Sequence, residues 1–176
     1  MKYYTGIGSR ETPASVLALM TNIAMSLSDL GYTLRSGRAA GADTAFEKGA
    51  DNAELYIPWK GFAEENVVDP FHQVYVRGDD TYSRSIAETI HPAWHRLSRG
   101  AKALHTRNVN QVLGKNSGNP DPSDFVLFYA PVTRSGNVKG GTATAVNYAA
   151  SLGIPTLNLI DEPSLEEVLN WVKGLT

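Results

Sequence analysis

Short apolar runs alternate with longer amphipathic segments along the chain. The runs at 2–7, 32–35, 54–57, 124–129 and 154–159 are predicted to be strands. Helices are predicted between and after them, at about 13–30, 42–49, 81–113 with an interruption at His91-Pro92, 140–152 and 163–174, and the first and last show apolar residues at helical spacing. This alternation predicts a single-domain α/β fold of Rossmann-like type, with a mainly parallel sheet and helices on both faces.

Residues 59–80 interrupt the alternation. They contain Gly61, Pro70 and Gly78, which disfavour regular structure, and one strand-like run at 72–76. We therefore predict an irregular insertion at one edge of the sheet, within a single domain that spans residues 1–176.

Small residues fill three of the predicted strand-to-helix turns, at 6–10, 36–43 and 140–144. Glycine adopts positive φ without strain and lets a ligand approach the backbone closely. The free N–H groups and the dipole at a helix N-terminus favour an anion there. Together, on one edge of a sheet, these turns predict a crevice for a phosphate or a nucleotide.

The turns supply most of the candidate ligand-binding residues. Ser9 and Arg10 could hold a phosphate through a hydroxyl and a fork of donors, or they could be a capping serine and a solvated arginine. Thr142 and Thr144 could form a second cradle, or serve as a helix cap and a packed residue. The full set in the turns is Gly8, Ser9, Arg10, Ser36, Gly37, Gly41, Ala42, Asp43, Gly140, Gly141, Thr142 and Thr144.

Two further pairs carry suitable chemistry. Asp43 and Glu47 are four residues apart and share one helix face. They are the candidate catalytic residues if the protein is an enzyme, although a carboxylate in a first helical turn also stabilises the helix without any ligand. Arg107 and Asn108 could contact a phosphate and a base edge, or could tie a helix to the next strand.

Composition limits the classes of function. The chain has 176 residues, no cysteine and a net charge of −2, which excludes disulfides and gives no overall basic field for nucleic acid. A local basic strip is still possible between Arg96 and Arg107. No apolar run approaches the ~20 residues that a membrane span needs, so we expect a cytoplasmic protein.

The histidines and aromatic residues offer no clear site. His91, His95 and His105 lack the spacing of a metal site, and we expect no metal or cofactor. Trp59, Tyr82 and Trp94 could stack on a base, but a core or interface role is equally consistent with the sequence.

The order of these motifs resembles the SLOG superfamily of Rossmann-like proteins. The resemblance rests on Gly8-Ser9-Arg10, on Ser36-Gly37 with Gly41-Ala42-Asp43, on Arg107-Asn108 and on Gly140-Gly141-Thr142. That group includes the DNA-processing protein DprA and the LOG-type phosphoribohydrolases, which are often labelled lysine decarboxylase-like. The resemblance implies nucleotide binding at the carboxyl ends of the strands, and homo-oligomers, which are common in the group. Compact members are frequent in phages, so the host cytoplasm is one expected location.

The sequence departs from the LOG-type signature Gly-Gly-x-Gly-Thr-x-x-Glu. Ala143 stands at its third glycine and Asn147 at its glutamate, and an asparagine cannot act as a carboxylate base. We therefore expect first a protein that binds a nucleotide-derived signal, of ADP-ribose or cyclic-nucleotide type, as a sensor or sequestering protein. A nucleoside-monophosphate N-glycosidase is the second hypothesis and a DprA-like recombination mediator the third. The expected partner is a small nucleotide-type molecule, and the charge balance argues against nucleic acid.

Overall fold

The structure, a computed structural model, describes all 176 residues. The six strands are β1 (Lys2–Gly8), β2 (Tyr32–Ser36), β3 (Ala53–Ile57), β4 (Gln73–Val76), β5 (Phe125–Tyr129) and β6 (Thr156–Asn158). The six α-helices are α1 (Ala14–Asp29), α2 (Ala42–Gly49), α3 (Thr81–Ile90), α4 (Arg99–Leu113), α5 (Ala143–Ser151) and α6 (Leu165–Lys173). Short 3₁₀ turns lie at Glu64–Asn66, Trp94–Arg96 and Leu159–Asp161. None of the helices combines the length and the apolar character that crossing a bilayer demands.

All six strands are parallel and form one sheet in the order β4-β3-β2-β1-β5-β6. The chain starts at β1 and moves outward to β4. It then returns to the other side of β1 as β5. The strand order therefore reverses between β1 and β5, and open α/β sheets bind ligands beyond the carboxyl ends of the strands at such a point. The predicted fold class is confirmed.

Alternate residues of the central strands face two separate apolar cores. One core joins Tyr4 and Leu127 of the sheet to α1, α2 and α6, and the other joins Ile7 and Val126 to α3, α4 and α5. Both faces of the sheet are therefore covered, which explains why these strands read as continuous apolar runs rather than as alternating ones.

The structure refines two of the sequence-based boundaries. The strand-like run at 72–76 becomes β4, which pairs with β3 at the edge of the sheet, so the insertion adds a strand as well as crossing the edge. The expected strand at 154–159 shortens to β6 because the chain turns into a 3₁₀ turn at Leu159, where the side chain of Asn158 accepts a hydrogen bond from the N–H of Ile160.

Candidate functional site

A crevice of about 480 Å³ opens at the carboxyl ends of the strands, where the strand order reverses. Its wall comes from the turns after β1, β2 and β5 and from one face of α4. Nine of the residues predicted from the sequence lie in this wall: Gly8, Ser9, Arg10, Asp43, Arg107, Asn108, Gly140, Gly141 and Thr142. The structure thus brings together three turns that are far apart in sequence, and the ligand contacts of these residues stay a prediction.

Asp43 occupies the anion position that the turn before α2 provides. Its carboxylate accepts a hydrogen bond from the N–H of Ala39 at 3.3 Å, and the backbone N–H groups of Gly8 and Gly37 lie near it. Burial raises the pKa of this carboxyl to about 6, although Arg107 and these N–H groups oppose the rise. Because the N–H groups already bind a carboxylate, this turn does not offer them to a phosphate.

Arg107 ties α4 to the turn after β2 and to β3. Its Nη1 donates to the carbonyl of Gly37 at 2.8 Å and to that of Tyr56 at 2.6 Å, and its Nε donates to Oδ1 of Asn108 at 2.8 Å. The second terminal nitrogen, Nη2, makes no hydrogen bond within the protein. Burial lowers the pKa of Arg107 to about 10. The nearby Arg10 also lowers this pKa, whereas the Asp43 carboxylate raises it. The guanidinium therefore remains charged at neutral pH and has one nitrogen available to a ligand.

Asn108 and Gln111 extend the α4 face of the crevice. The Asn108 amide donates to the carbonyl of Gly141 at 2.9 Å, so it positions the turn before α5 rather than projecting freely. The buried side-chain amide of Gln111 has no hydrogen-bond partner in the protein, and it lines the crevice. An amide without a partner can donate to and accept from a ligand. Sequence reasoning missed Gln111, whose only signal was its position one turn beyond Arg107 on the same helix.

The turn before α5 remains open. Gly140 has φ +84°, and no protein atom lies within 4 Å of the position that a Cβ of Gly140 or Gly141 would occupy. The side chain of Thr142 does not cap the helix, so its hydroxyl is free. Exposed Lys139 precedes this turn and also lines the crevice. Of the three turns, this one best fits an anion beside a helix N-terminus.

Ser9 and Arg10 form the wall after β1. The Ser9 hydroxyl accepts a hydrogen bond from the N–H of Glu11 at 3.1 Å, which orders the turn. Arg10 is exposed and makes no ion pair with a carboxylate. Arg10, Lys139 and Arg107 are thus three cationic side chains in one crevice wall without a carboxylate within 4 Å.

Four predicted residues of the turn before α2 do not reach the crevice wall. Ser36 is fully buried and its hydroxyl donates to the carbonyl of Gly6 at 2.6 Å. Gly37 makes room for the Gln111 and Arg107 side chains, and Gly41, at φ +88°, makes room for the backbone of Arg10. Ala42, which packs against Gly8, completes the set. These residues pack the turns against one another, and their predicted ligand contacts stay a prediction.

Glu47 and Thr144 also have partners inside the protein. The buried Glu47 carboxylate contacts Nδ1 of His72 at 3.0 Å, away from the crevice. Glu47 does not line the crevice, and its catalytic role stays a prediction. The Thr144 hydroxyl contacts Nδ1 of His105 at 2.5 Å, and His105 itself lines the crevice. Burial, together with His91 and Arg107, lowers the pKa of His105 to about 4, so this ring is neutral at neutral pH.

Comparison with known proteins supports the fold. No protein-family model and no curated protein sequence matches this chain. Among solved structures, the chain is similar to DNA processing protein A from Helicobacter pylori, a single-stranded DNA-binding protein. The TM-score is 0.53 and the identity 16%, over 99% of this chain and 74% of that one. This chain thus has a DprA-like, Rossmann-like fold with a six-stranded parallel sheet.

The comparison also corrects the expected partner. We expected a small nucleotide-type molecule, and we took the net charge of −2 as an argument against nucleic acid. That expectation was wrong, since the solved structure that this chain resembles is of a protein that binds single-stranded DNA. Net charge averages the whole surface, whereas a nucleic-acid strand meets only the local charges.

Proposed function

We propose that this protein binds single-stranded DNA, with one nucleotide unit of the strand held in the crevice at the carboxyl ends of β1 and β5. One observation carries the proposal. The crevice wall presents Arg10, Arg107 and Lys139, none of them within 4 Å of a carboxylate, beside the open turn at Gly140 and Gly141. The likeness in fold to a single-stranded DNA-binding protein supports the same partner.

Different crevice residues would contact different parts of a single DNA strand. Arg10 and Lys139 lie on opposite turns and would contact backbone phosphates as charged donors. A phosphate beside Gly141 would also meet the N-terminus of α5. The free amide of Gln111 lies deeper and would contact a base edge or a sugar. Phosphate contacts outnumber base contacts in this scheme, so we expect little sequence preference.

The two candidate catalytic carboxylates, Asp43 and Glu47, both have partners inside the protein, which favours binding over hydrolysis; the other carboxylate of the crevice wall, Glu11, is exposed. An N-glycosidase would need a free carboxylate beside the reacting carbon. Glu47 contacts His72 outside the crevice, and the Asp43 carboxylate accepts a hydrogen bond from the backbone N–H of Ala39 in its own turn. Asn147 stands where the LOG-type signature has its glutamate.

Fluorescence anisotropy of a labelled oligothymidylate tests this proposal. We expect binding to the single strand at 50 mM salt and weaker binding to a duplex of the same length. Gly141→Val should reduce the affinity at least tenfold, because its isopropyl group enters the crevice and Gly141 has no neighbouring atom to clash with. Gly118→Val is the matched control, since Gly118 is an exposed glycine before β5, at the opposite edge of the sheet.

The outcomes separate the site from the function. No binding of the single strand by the wild-type protein at low salt would refute the proposed function. Equal affinity of wild type and Gly141→Val would place the DNA outside the crevice.

A further inference from the structure

Trp59 is exposed at the carboxyl ends of the strands, on the same side of the sheet as the opening of the crevice. It follows β3 by two residues, and 43% of its surface is accessible. Of the other two tryptophans, Trp94 is buried and Trp171 is half-buried and packs edge-to-face on Phe125. Trp59 is therefore the tryptophan whose ring the fold leaves to solvent.

The Trp59 ring is nevertheless held in place. The far end of its six-membered ring lies against Gly100 in the first turn of α4, about 3.8 Å from the position of an added Cβ. The ring also packs edge-to-face with Phe62, with 5.5 Å between the ring centroids. A fixed aromatic ring loses little conformational entropy when a ligand stacks on it.

The ring is also continuous with the crevice wall. The guanidinium carbon of Arg107 lies 5.3 Å from the centroid of Phe62, which in turn contacts Trp59. Gly100 precedes Ala101 on α4, and Ala101 lines the crevice. An extended single strand of DNA that leaves the crevice on the α4 side would therefore pass over Trp59.

We infer that Trp59 is a stacking platform for a nucleobase next to the nucleotide held in the crevice. This inference rests on the proposed function, which it deepens by naming the base subsite. Every base has a π face, so stacking on Trp59 is tolerant of sequence. It requires an unpaired, unstacked base, so the platform selects single strands over duplexes.

Two oligonucleotides separate stacking from phosphate contact: labelled oligothymidylate and a strand of the same length with abasic sugars throughout. Trp59→Ala should weaken binding of oligothymidylate at least fivefold and as much as about 150-fold. It should leave binding of the abasic strand unchanged, and Trp59→Phe should retain most of the affinity. Tyr82→Ala is the matched control, because Tyr82 is an exposed aromatic residue beside Gly118, at the opposite edge.

Tryptophan fluorescence gives a second measurement. Stacking should quench the emission of the wild-type protein as oligothymidylate is added, and Trp59→Phe should lose this quenching while it still binds. A Trp59→Ala protein that binds oligothymidylate as the wild type does would overturn the inference and leave the proposed function intact. An equal loss for both strands would overturn stacking in favour of a structural role. No binding of either strand by the wild type would instead refute the proposed function.

Discussion

Replacing Arg10 by alanine would test one proposed phosphate contact without disturbing the fold. Arg10 is exposed, lines the crevice and makes no hydrogen bond or ion pair through its side chain. Arg107 is unsuitable for this test, because it donates to the carbonyls of Gly37 and Tyr56 and its removal would leave these buried carbonyls unsatisfied. Lys139, exposed on the facing turn, provides an independent second variant.

The magnitude follows from the number of cationic side chains in the crevice. Each phosphate contact with a single strand contributes about −0.7 to the slope of log K against log salt concentration. With Arg10, Arg107 and Lys139 in the wall, the wild-type slope should be about −2. Affinity should then fall about 20-fold between 50 and 200 mM salt. Arg10→Ala and Lys139→Ala should each reduce the slope to about −1.4, and the double variant to about −0.7.

Anisotropy titrations of labelled oligothymidylate at four salt concentrations measure these slopes. Lys173→Ala is the matched control, since Lys173 is an exposed cation on α6, outside the crevice. We expect its slope to equal that of the wild type. Unchanged slopes in both crevice variants would refute the reasoning, because the strand would then contact phosphate-binding residues elsewhere. A wild-type slope much steeper than −2 would show that charges outside the crevice take part.

Three further predictions concern the interior of the site. Gln111→Leu should weaken oligothymidylate binding about fivefold, by loss of one hydrogen bond, without lowering the free energy of unfolding, since the amide has no protein partner. The pKa of Asp43 is about 6 in the folded protein, against 3.8 for an ordinary carboxyl. Because the folded state therefore holds this proton more tightly, the free energy of unfolding of the wild type should fall by about 3 kcal/mol as the pH rises from below 3.8 to above 6. Asp43→Asn should lack this loss in denaturant titrations at pH 3.5 and 8, and an equal loss in both proteins would contradict the assignment. Gly41→Ala should lower the melting temperature more than Gly136→Ala does; both glycines have φ near +85°, but only at Gly41 would a Cβ meet the Arg10 backbone, at 2.9 Å.

The sequence predicted the fold well because hydrophobic periodicity is a local property. The apolar spacing of α1 placed Val16, Met20 and Ile23 in the core, where the structure has them. The glycine-rich turns could also be recognised from the local sequence, and the alternation of strands and helices places all of them at the carboxyl ends of the strands. Those two facts were enough to predict where a crevice would form.

The individual site residues were harder to predict, because their partners are distant in sequence. Gly37 meets Arg107 across 70 residues, and Glu47 meets His72 across 25. A glycine that admits a neighbouring side chain and a glycine that admits a ligand look alike in a sequence. Only the contacts show that Gly41 faces the Arg10 backbone while Gly141 faces open space.

This division between closed and open turns determines where an anion can bind. In the turn before α2, the Asp43 carboxylate accepts the N–H of Ala39 and lies near the N–H groups of Gly8 and Gly37, so a phosphate there would have to displace a carboxylate of the same charge. The turn before α5 has no such internal anion, and Asn108 holds it through the carbonyl of Gly141. The N–H of Ala143 donates to the carbonyl of Gly140 at 3.2 Å, whereas the N–H groups of Gly141 and Thr142 have no partner within the protein. A phosphate therefore gains most at α5, close to Lys139, while the Asp43 turn serves as the rigid wall opposite. In the proposed site, the turn before α2 therefore forms a rigid wall, and the turn before α5, whose glycines face open space, receives the phosphate.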